Sequence, residues 1–216
     1  RFEGPADGES AMKETKGLTV RGCFFDLRYP LWHTTGTVLD NCDMTANCRA
    51  ALWYDRDVSI ANCRLHGIKA LRECEDCRVE DSSVISPEFG WKSRGISLKN
   101  TSVEGEYPFL DSRDLTLEKV RLKGKYSFQY VENMTITDSV LDTKDAFWEA
   151  EGVTISGFLK CCDCCFYPCL RITLRIIPTC LSCNFLSRTA NSIFCFILDC
   201  FPNLLNFSNT NFSLIQ

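Results

Sequence analysis

The feature that most constrains this chain is a repeat of fixed length. From Gly95 to Glu151 it runs GISLKNTSVEGEYPFLDSR, DLTLEKVRLKGKYSFQYVE and NMTITDSVLDTKDAFWEAE, three consecutive copies of one 19-residue unit. Copies begin at Gly17, Gly36, Asp57, Asp76, Gly95, Asp114, Asn133 and Gly152, spaced by 19 residues except for the 21 between Gly36 and Asp57. A unit this short cannot bury its own apolar face. Each copy must close against its neighbours, so the fold must be a stack.

Within a copy, the second and fourth residues are apolar in most cases, as in Val58/Ile60, Ile96/Leu98 and Leu115/Leu117. That alternation is the period of a strand with one buried face. The sixth residue is Gly22, Asn41, Asn62, Asp81, Asn100, Lys119 or Asp138, mostly types that tolerate a left-handed turn, and it marks a corner. Beyond it the seventh and ninth residues (Cys42/Met44, Cys63/Leu65, Thr101/Val103) make a second short inward-facing strand, and a third inward residue follows at Leu31, Leu52, Leu71, Gly90, Phe109, Phe128 and Phe147. Short strands separated by corners predict an all-β fold, a single-stranded parallel β-helix of about 19 residues per coil, with like residues stacked about 4.8 Å apart. A leucine-rich repeat covers the same period, but its spaced leucine and asparagine pattern is absent. The two extra residues of the second copy are expected to bulge as a loop near Ala46 to Arg49.

Three segments follow from this rhythm. Residues 1–16 are a turn-rich entry with Phe2 as the last inward residue of a preceding coil, residues 17–157 are the β-helix, and residues 158–216 are an irregular tail. All 12 glycines lie at or before Gly157, the last Glu and Lys are Glu151 and Lys160, and nine of the 15 cysteines fall after Lys160. The joint loss of Gly, Glu and Lys departs from average usage, and a frame-shifted, non-native segment accounts for it best. Two alternatives stay open: a zinc ribbon through Cys161, Cys164, Cys180 and Cys183, whose C-x-x-C spacing suits four thiolates, and a hydrophobic interaction segment. Arg175, Arg188 and Asp199 interrupt every apolar run before it could span a membrane. A start at Arg1 is expected to be a cut from a longer chain.

The runs GPADGESAMKE, LRYPLWH, LHGIKALREC, ISPEFGWKS, GKYSFQYVENMTI and DTKDAFWEAEGVTI closely resemble an uncharacterised bacterial family, a domain of unknown function of the pectin-lyase-like β-helix superfamily, over about residues 2–156. The resemblance implies a right-handed β-helix, soluble and bacterial, whose members continue with further coils after Ile155. It implies no activity, ligand or catalytic residue.

The net charge of −4 gives no electrostatic reason to expect nucleic acid. No cofactor is expected, and unpaired repeat cysteines point to the cytoplasm. An enzyme on this fold needs carboxylates in one outward column of adjacent coils. The candidates Glu88, Glu104, Glu106, Asp142 and Asp145 are interrupted by other residues, Lys123 among them, so a polysaccharide lyase or glycosidase is the alternative and a non-catalytic binding or scaffold module the main expectation. His33 and His66 occupy different positions of their copies, and Cys23, Cys42 and Cys63 share one inward column as small core residues. The surface feature that suggests a ligand is aromatic: Trp32, Trp53, Trp91 and Trp148 share one position, with Tyr107 and Tyr126 three residues earlier in their own copies. Such a ledge can stack on sugar rings, or its rings can pack on one another to shield a corner. The expected partner is a glycan or a protein, with self-association through poorly capped ends.

Overall fold

The computed structural model describes residues 1–4 and 10–157, together with the backbone of Lys160–Cys162 and Ile172–Ile176. Among the described residues there are strands and no helix, and every strand pairing is parallel. Sheet 1 has nine strands, running from Phe2–Glu3 through Phe24–Asp26, Ser83–Ile85 and Arg121–Lys125 to Lys160–Cys162. Sheet 2 also has nine, from Thr19–Arg21 through Glu75–Glu80 and Arg113–Glu118 to Ile172–Ile176, and sheet 3 has three, Leu31–Trp32, Leu52–Trp53 and Leu71–Arg72. One strand of each long sheet is used per coil, so the chain is a β-solenoid with one 19-residue repeat per turn. Numbering the coils from Gly17, and leaving out the two extra residues of the second, gives each residue a coil and a position from 1 to 19.

The corners are built from left-handed residues. Position 6 has positive φ in every coil, from Gly22 at 59° to Gly157 at 75°, as its Asn, Asp and Gly content led us to expect. Positions 1 and 17 do the same, the first from Gly17 to Gly152 and the second at His33, Tyr54, Glu73, Lys92, Asp111, Tyr130 and Glu149. These three left-handed positions recur in the coils, joined at position 15 by Gly90, Phe109, Phe128 and Phe147, and bend a single strand path into a closed turn.

Between corners, side chains alternate. Positions 2, 4 and 9 fill the core: Val58, Ile60, Ile96, Leu98, Val84, Val103, Leu122 and Leu141 are all buried, and register places like on like, Val84 against Leu65 and Val103, and Leu122 against Leu141. The third side of the coil changes along the stack. Leu31, Leu52 and Leu71 pair as strands, but Phe109, Phe128 and Phe147 have φ of 64°, 64° and 63° and stack their buried rings 5.6 and 5.0 Å apart. Gly90, expected to be the inward residue of its coil, is buried at that position with φ of 72° but brings no side chain. Phe89, one residue earlier, supplies the ring, 5.2 Å from that of Phe109, and a Cβ on Gly90 would lie 2.6 Å from Phe109 Cδ1.

The insertion in coil 2 makes an exposed turn at Ala46 and Asn47, as expected, but Cys48 turns inward and is buried. Asp26 pins it, accepting hydrogen bonds from Thr45 Oγ1 and from Asn47 Nδ2. The two long sheets also run past residue 157 into the segment set apart by composition: Lys160–Cys162 pairs with Val140–Lys144, and Ile172 stands opposite Val153, one repeat length away. Phe2 stacks on Phe25 at 5.2 Å and is in register with it, which places it at position 9 of the preceding turn rather than at its last inward residue.

Candidate functional site

Positions 17 and 19 point outward on either side of position 18, which turns in. Stacked over several coils, this makes a groove of about 630 Å³ along the solenoid axis, bordered by His33, Tyr54, Lys92 and Tyr130 on one lip and by Arg94 and Arg113 on the other. Tyr130 is 53% and Tyr54 37% exposed. Charges on the second lip mostly neutralise one another, Arg56 pairing with Glu75 at 3.3 Å and Arg94 with Asp114 at 3.0 Å. Arg94 and Arg113 stand opposite each other in register, flanked in the same column by Glu75 and Glu132, and no ion pair is formed by Arg113 or Lys92 among the described residues. Like charges on directly paired strand positions repel, but Glu73, Glu75, Asp111 and Glu132 line the groove together with Arg56, Lys92, Arg94 and Arg113, so its charges balance.

The floor beneath the groove is a polar ladder at position 18. Three of the N–H groups there are accepted by a side chain of the next coil: Thr34 N–H donates to Asp55 Oδ1 (2.5 Å), Cys74 N–H to Ser93 Oγ (3.1 Å) and Ser93 N–H to Ser112 Oγ (3.2 Å). Asp55 is the exception in chemistry. Fully buried, it has a second oxygen, Oδ2, with no partner. Burial pushes its carboxyl up to about 6, against the opposing pull of the hydrogen bonds from Thr34.

The tryptophan position is a ladder of alternating rings and cations. Lys13 Nζ lies 4.7 Å from the centre of the Trp32 ring, Trp32 stacks on Trp53 at 6.3 Å, and the Arg72 guanidinium is sandwiched between Trp53 (5.6 Å) and Trp91 (5.4 Å). Trp91 Nε1–H donates to Tyr107 O at 2.6 Å, and Tyr107 stacks on Tyr126 at 4.9 Å. Trp32, Trp53 and Trp91 are thus half-buried among themselves, whereas Trp148 is 49% exposed. The rings that face solvent beside the groove, Tyr54 and Tyr130, sit one position further on. Their residue types carry no periodic signal, since position 17 also holds His, Glu, Lys and Asp, and only the left-handed corner reveals that they share a lip.

No two of the five acids share one column in adjacent coils. Glu88 is held by Lys69 (3.5 Å) and by Arg72 (3.3 Å), and Glu104 by Lys123 (3.1 Å). Lys123 is in register with both Glu104 and Asp142, which puts those two acids two coils, or about 10 Å, apart. Glu106 is exposed, and Asp145 follows Tyr126 in its column. Among the described residues no three His, Cys, Asp or Glu side chains converge as a metal site, and no helix is long and apolar enough to cross a membrane. Cys161 is described in its backbone alone, and Cys164, Cys180 and Cys183 lie outside the described residues. Cys23, Cys42 and Cys63 serve the position-7 corner, Cys42 N–H donating to Cys63 Sγ (3.3 Å) and Cys63 N–H to Ser82 Oγ (3.0 Å).

Fold and surface define a parallel β-solenoid with an open axial groove. Residues 2–159 match the family described as Protein of unknown function (DUF3737), and the chain belongs to that family. No curated protein matches it. Among solved structures it is similar to trypsin-treated QnrB1, a plasmid-mediated fluoroquinolone resistance protein, at 12% identity over 66% of this chain and 74% of that chain, with a TM-score of 0.17.

Proposed function

We propose that this protein is a non-catalytic carbohydrate-binding solenoid of the pectin-lyase-like type, and that an elongated glycan lies along the groove. The observation that carries this reading is the pairing, on one groove, of exposed aromatic faces at Tyr54 and Tyr130 with the cations Lys92 and Arg113, which form no ion pair among the described residues. Aromatic faces stack on the C–H faces of sugar rings. Arginine forks bind carboxylates in a bidentate manner. A groove parallel to the stack offers the same contacts at successive coils, which suits a polymer better than a compact ligand. The aromatic ladder from Trp32 to Tyr126 supports the groove as a stiff wall, and Trp148, beside Tyr130, extends its exposed end.

Affinity electrophoresis tests this. Migration of the protein is expected to be retarded in gels containing polygalacturonate or alginate, with retardation lost in Tyr130→Ala and Arg113→Gln. Unaltered migration in every neutral and acidic polysaccharide gel would overturn the reading.

A further inference from the structure

At two of the corners the residue just past the left-handed position has a side chain with two duties. It accepts the N–H of its counterpart in the preceding coil, and it donates its own proton to the backbone carbonyl two residues before it. At position 7, Cys63, Ser82 and Ser139 accept from the N–H of Cys42, Cys63 and Val120 and donate to Ala61 O, Glu80 O and Thr137 O. At position 18, Ser93 and Ser112 accept from the N–H of Cys74 and Ser93 and donate to Trp91 O and Leu110 O at 3.1 and 3.2 Å. A hydroxyl or thiol fills both duties because it is donor and acceptor at once, whereas an ionised carboxylate only accepts.

Asp55 holds this place next to Tyr54, a left-handed lip residue with φ of 61°. Its Oδ1 accepts the Thr34 N–H, which completes the first duty. The second is missing. Oδ2 is buried without a partner, and the carbonyl two residues back, Trp53 O, accepts the His33 N–H at 3.0 Å just as Trp91 O accepts that of Glu73 alongside its serine. A single proton on Oδ2 supplies the donor that the ladder lacks, and leaving a buried polar atom unpaired is costly. The titratable groups of the coils packed on Asp55 bring it no counter-charge. Cys74 is the next rung, His33 and Tyr54 stack their rings on the lip at 4.8 Å, and Arg56 is taken by Glu75 (3.3 Å) as Glu73 is by Arg72 (3.2 Å).

We propose that Asp55 is a proton latch under the groove: as the neutral acid it donates Oδ2–H to Trp53 O and closes the ladder, and on losing that proton to water it releases Thr34 and loosens the lip at His33 and Tyr54. Burial raises its carboxyl to about 6, so the latch is closed in mildly acid solution and opens as pH rises through neutrality. His33, Tyr54 and Arg56 border the groove, so the latch sets how well ordered that part of the groove is. Control of glycan binding rests on the function proposed above, and the latch itself does not.

Amide hydrogen exchange of the intact protein tests the latch without a ligand. Ser93 N–H, which donates to Ser112 as Thr34 N–H does to Asp55, is the internal reference. After correction for intrinsic exchange rates, the Thr34 amide is expected to lose about tenfold in protection between pH 5 and 7.5, the ratio for a carboxyl at about 6 when latched and at its ordinary 3.8 when released. The Ser93 amide should keep its protection. Asp55→Asn, whose side chain accepts and donates at every pH, should hold Thr34 equally protected at both. Unchanged Thr34 protection in the wild type, a fall shared by Ser93, or the same fall in Asp55→Asn would overturn the latch, and the wild-type comparison decides alone if that variant does not fold. In affinity electrophoresis, retention is expected to be stronger at pH 5 than at 7.5 in the wild type and independent of pH in Asp55→Asn. Equal wild-type retention at both would cut the link to the groove, whereas retention at neither, with the exchange difference intact, would reject the glycan reading and leave the latch standing.

Discussion

Replacing Gly90 by alanine separates two costs that a left-handed glycine usually conceals. Gly36 and Gly90 have nearly the same backbone, with φ of 67° and 72°. A Cβ on Gly36 would meet nothing closer than 3.6 Å, an ordinary contact, whereas a Cβ on Gly90 would lie 2.6 and 2.8 Å from two carbons of the Phe109 ring. Forcing alanine into the left-handed region costs about 1–2 kcal/mol at either site. Gly90→Ala must in addition push Phe109 out of a stack wedged between Phe89 and Phe128, an overpacking cost of about 1–3 kcal/mol. We therefore expect Gly36→Ala to lose about 1–2 kcal/mol and Gly90→Ala about 2–5 kcal/mol by urea denaturation followed by circular dichroism. Trimming the ring with Phe109→Leu in the Gly90→Ala background should recover the difference, appearing as a favourable coupling in a double-mutant cycle. Equal losses for the two single variants, or no coupling, would refute the steric account and leave backbone strain as the only cost.

Other substitutions report on other layers. Phe128→Ala, removing the middle ring of the buried stack, should cost about 3–5 kcal/mol in the same denaturation, and Phe128→Leu much less. Arg72→Ala should lose about 2 kcal/mol and shift tryptophan emission to the red, because Trp53 and Trp91 lose the guanidinium between them; unchanged emission would mean that the sandwich does not persist in solution. Asp55 has its carboxyl raised from 3.8 to about 6, so the folded state holds that proton more tightly than the unfolded one. Its contribution is complete below pH 4 and falls away as pH rises through 6, by about 3 kcal/mol for a shift of this size. The stability difference between wild type and Asp55→Ser, measured by urea midpoints at pH 4 and 7.5, should move against the wild type at the higher pH, and a pH-independent difference would contradict the buried, unpaired placement. In the groove, Tyr130→Ala should weaken glycan retention roughly tenfold without altering the melting temperature, since its ring is more than half exposed.

The 19-residue spacing alone determined that the chain stacks, which residues face the core, and where one of its three corners falls. Val58, Ile60, Ile96 and Leu98 are inward because a strand alternates, and Asn62, Asp81 and Asn100 turn because their side chains tolerate a left-handed backbone. These are local facts repeated in every copy, so averaging over copies made them legible. What depends on the neighbouring coil was not. Positions 1 and 17 are left-handed corners although Tyr54, Glu73 and Lys92 do not announce it, because closing the coil requires a bend there whatever the residue. Gly90 is an absence that makes room for a ring from the next coil, and its meaning lies in Phe109. The aromatic column was visible as composition, but whether its rings face a ligand or one another depended on Arg72 and Lys13, two cations in register with tryptophans of other coils. The groove and the unpaired Asp55 oxygen likewise exist only after stacking, because the distance between two side chains in a solenoid is set by coil register and corner geometry rather than by separation along the chain.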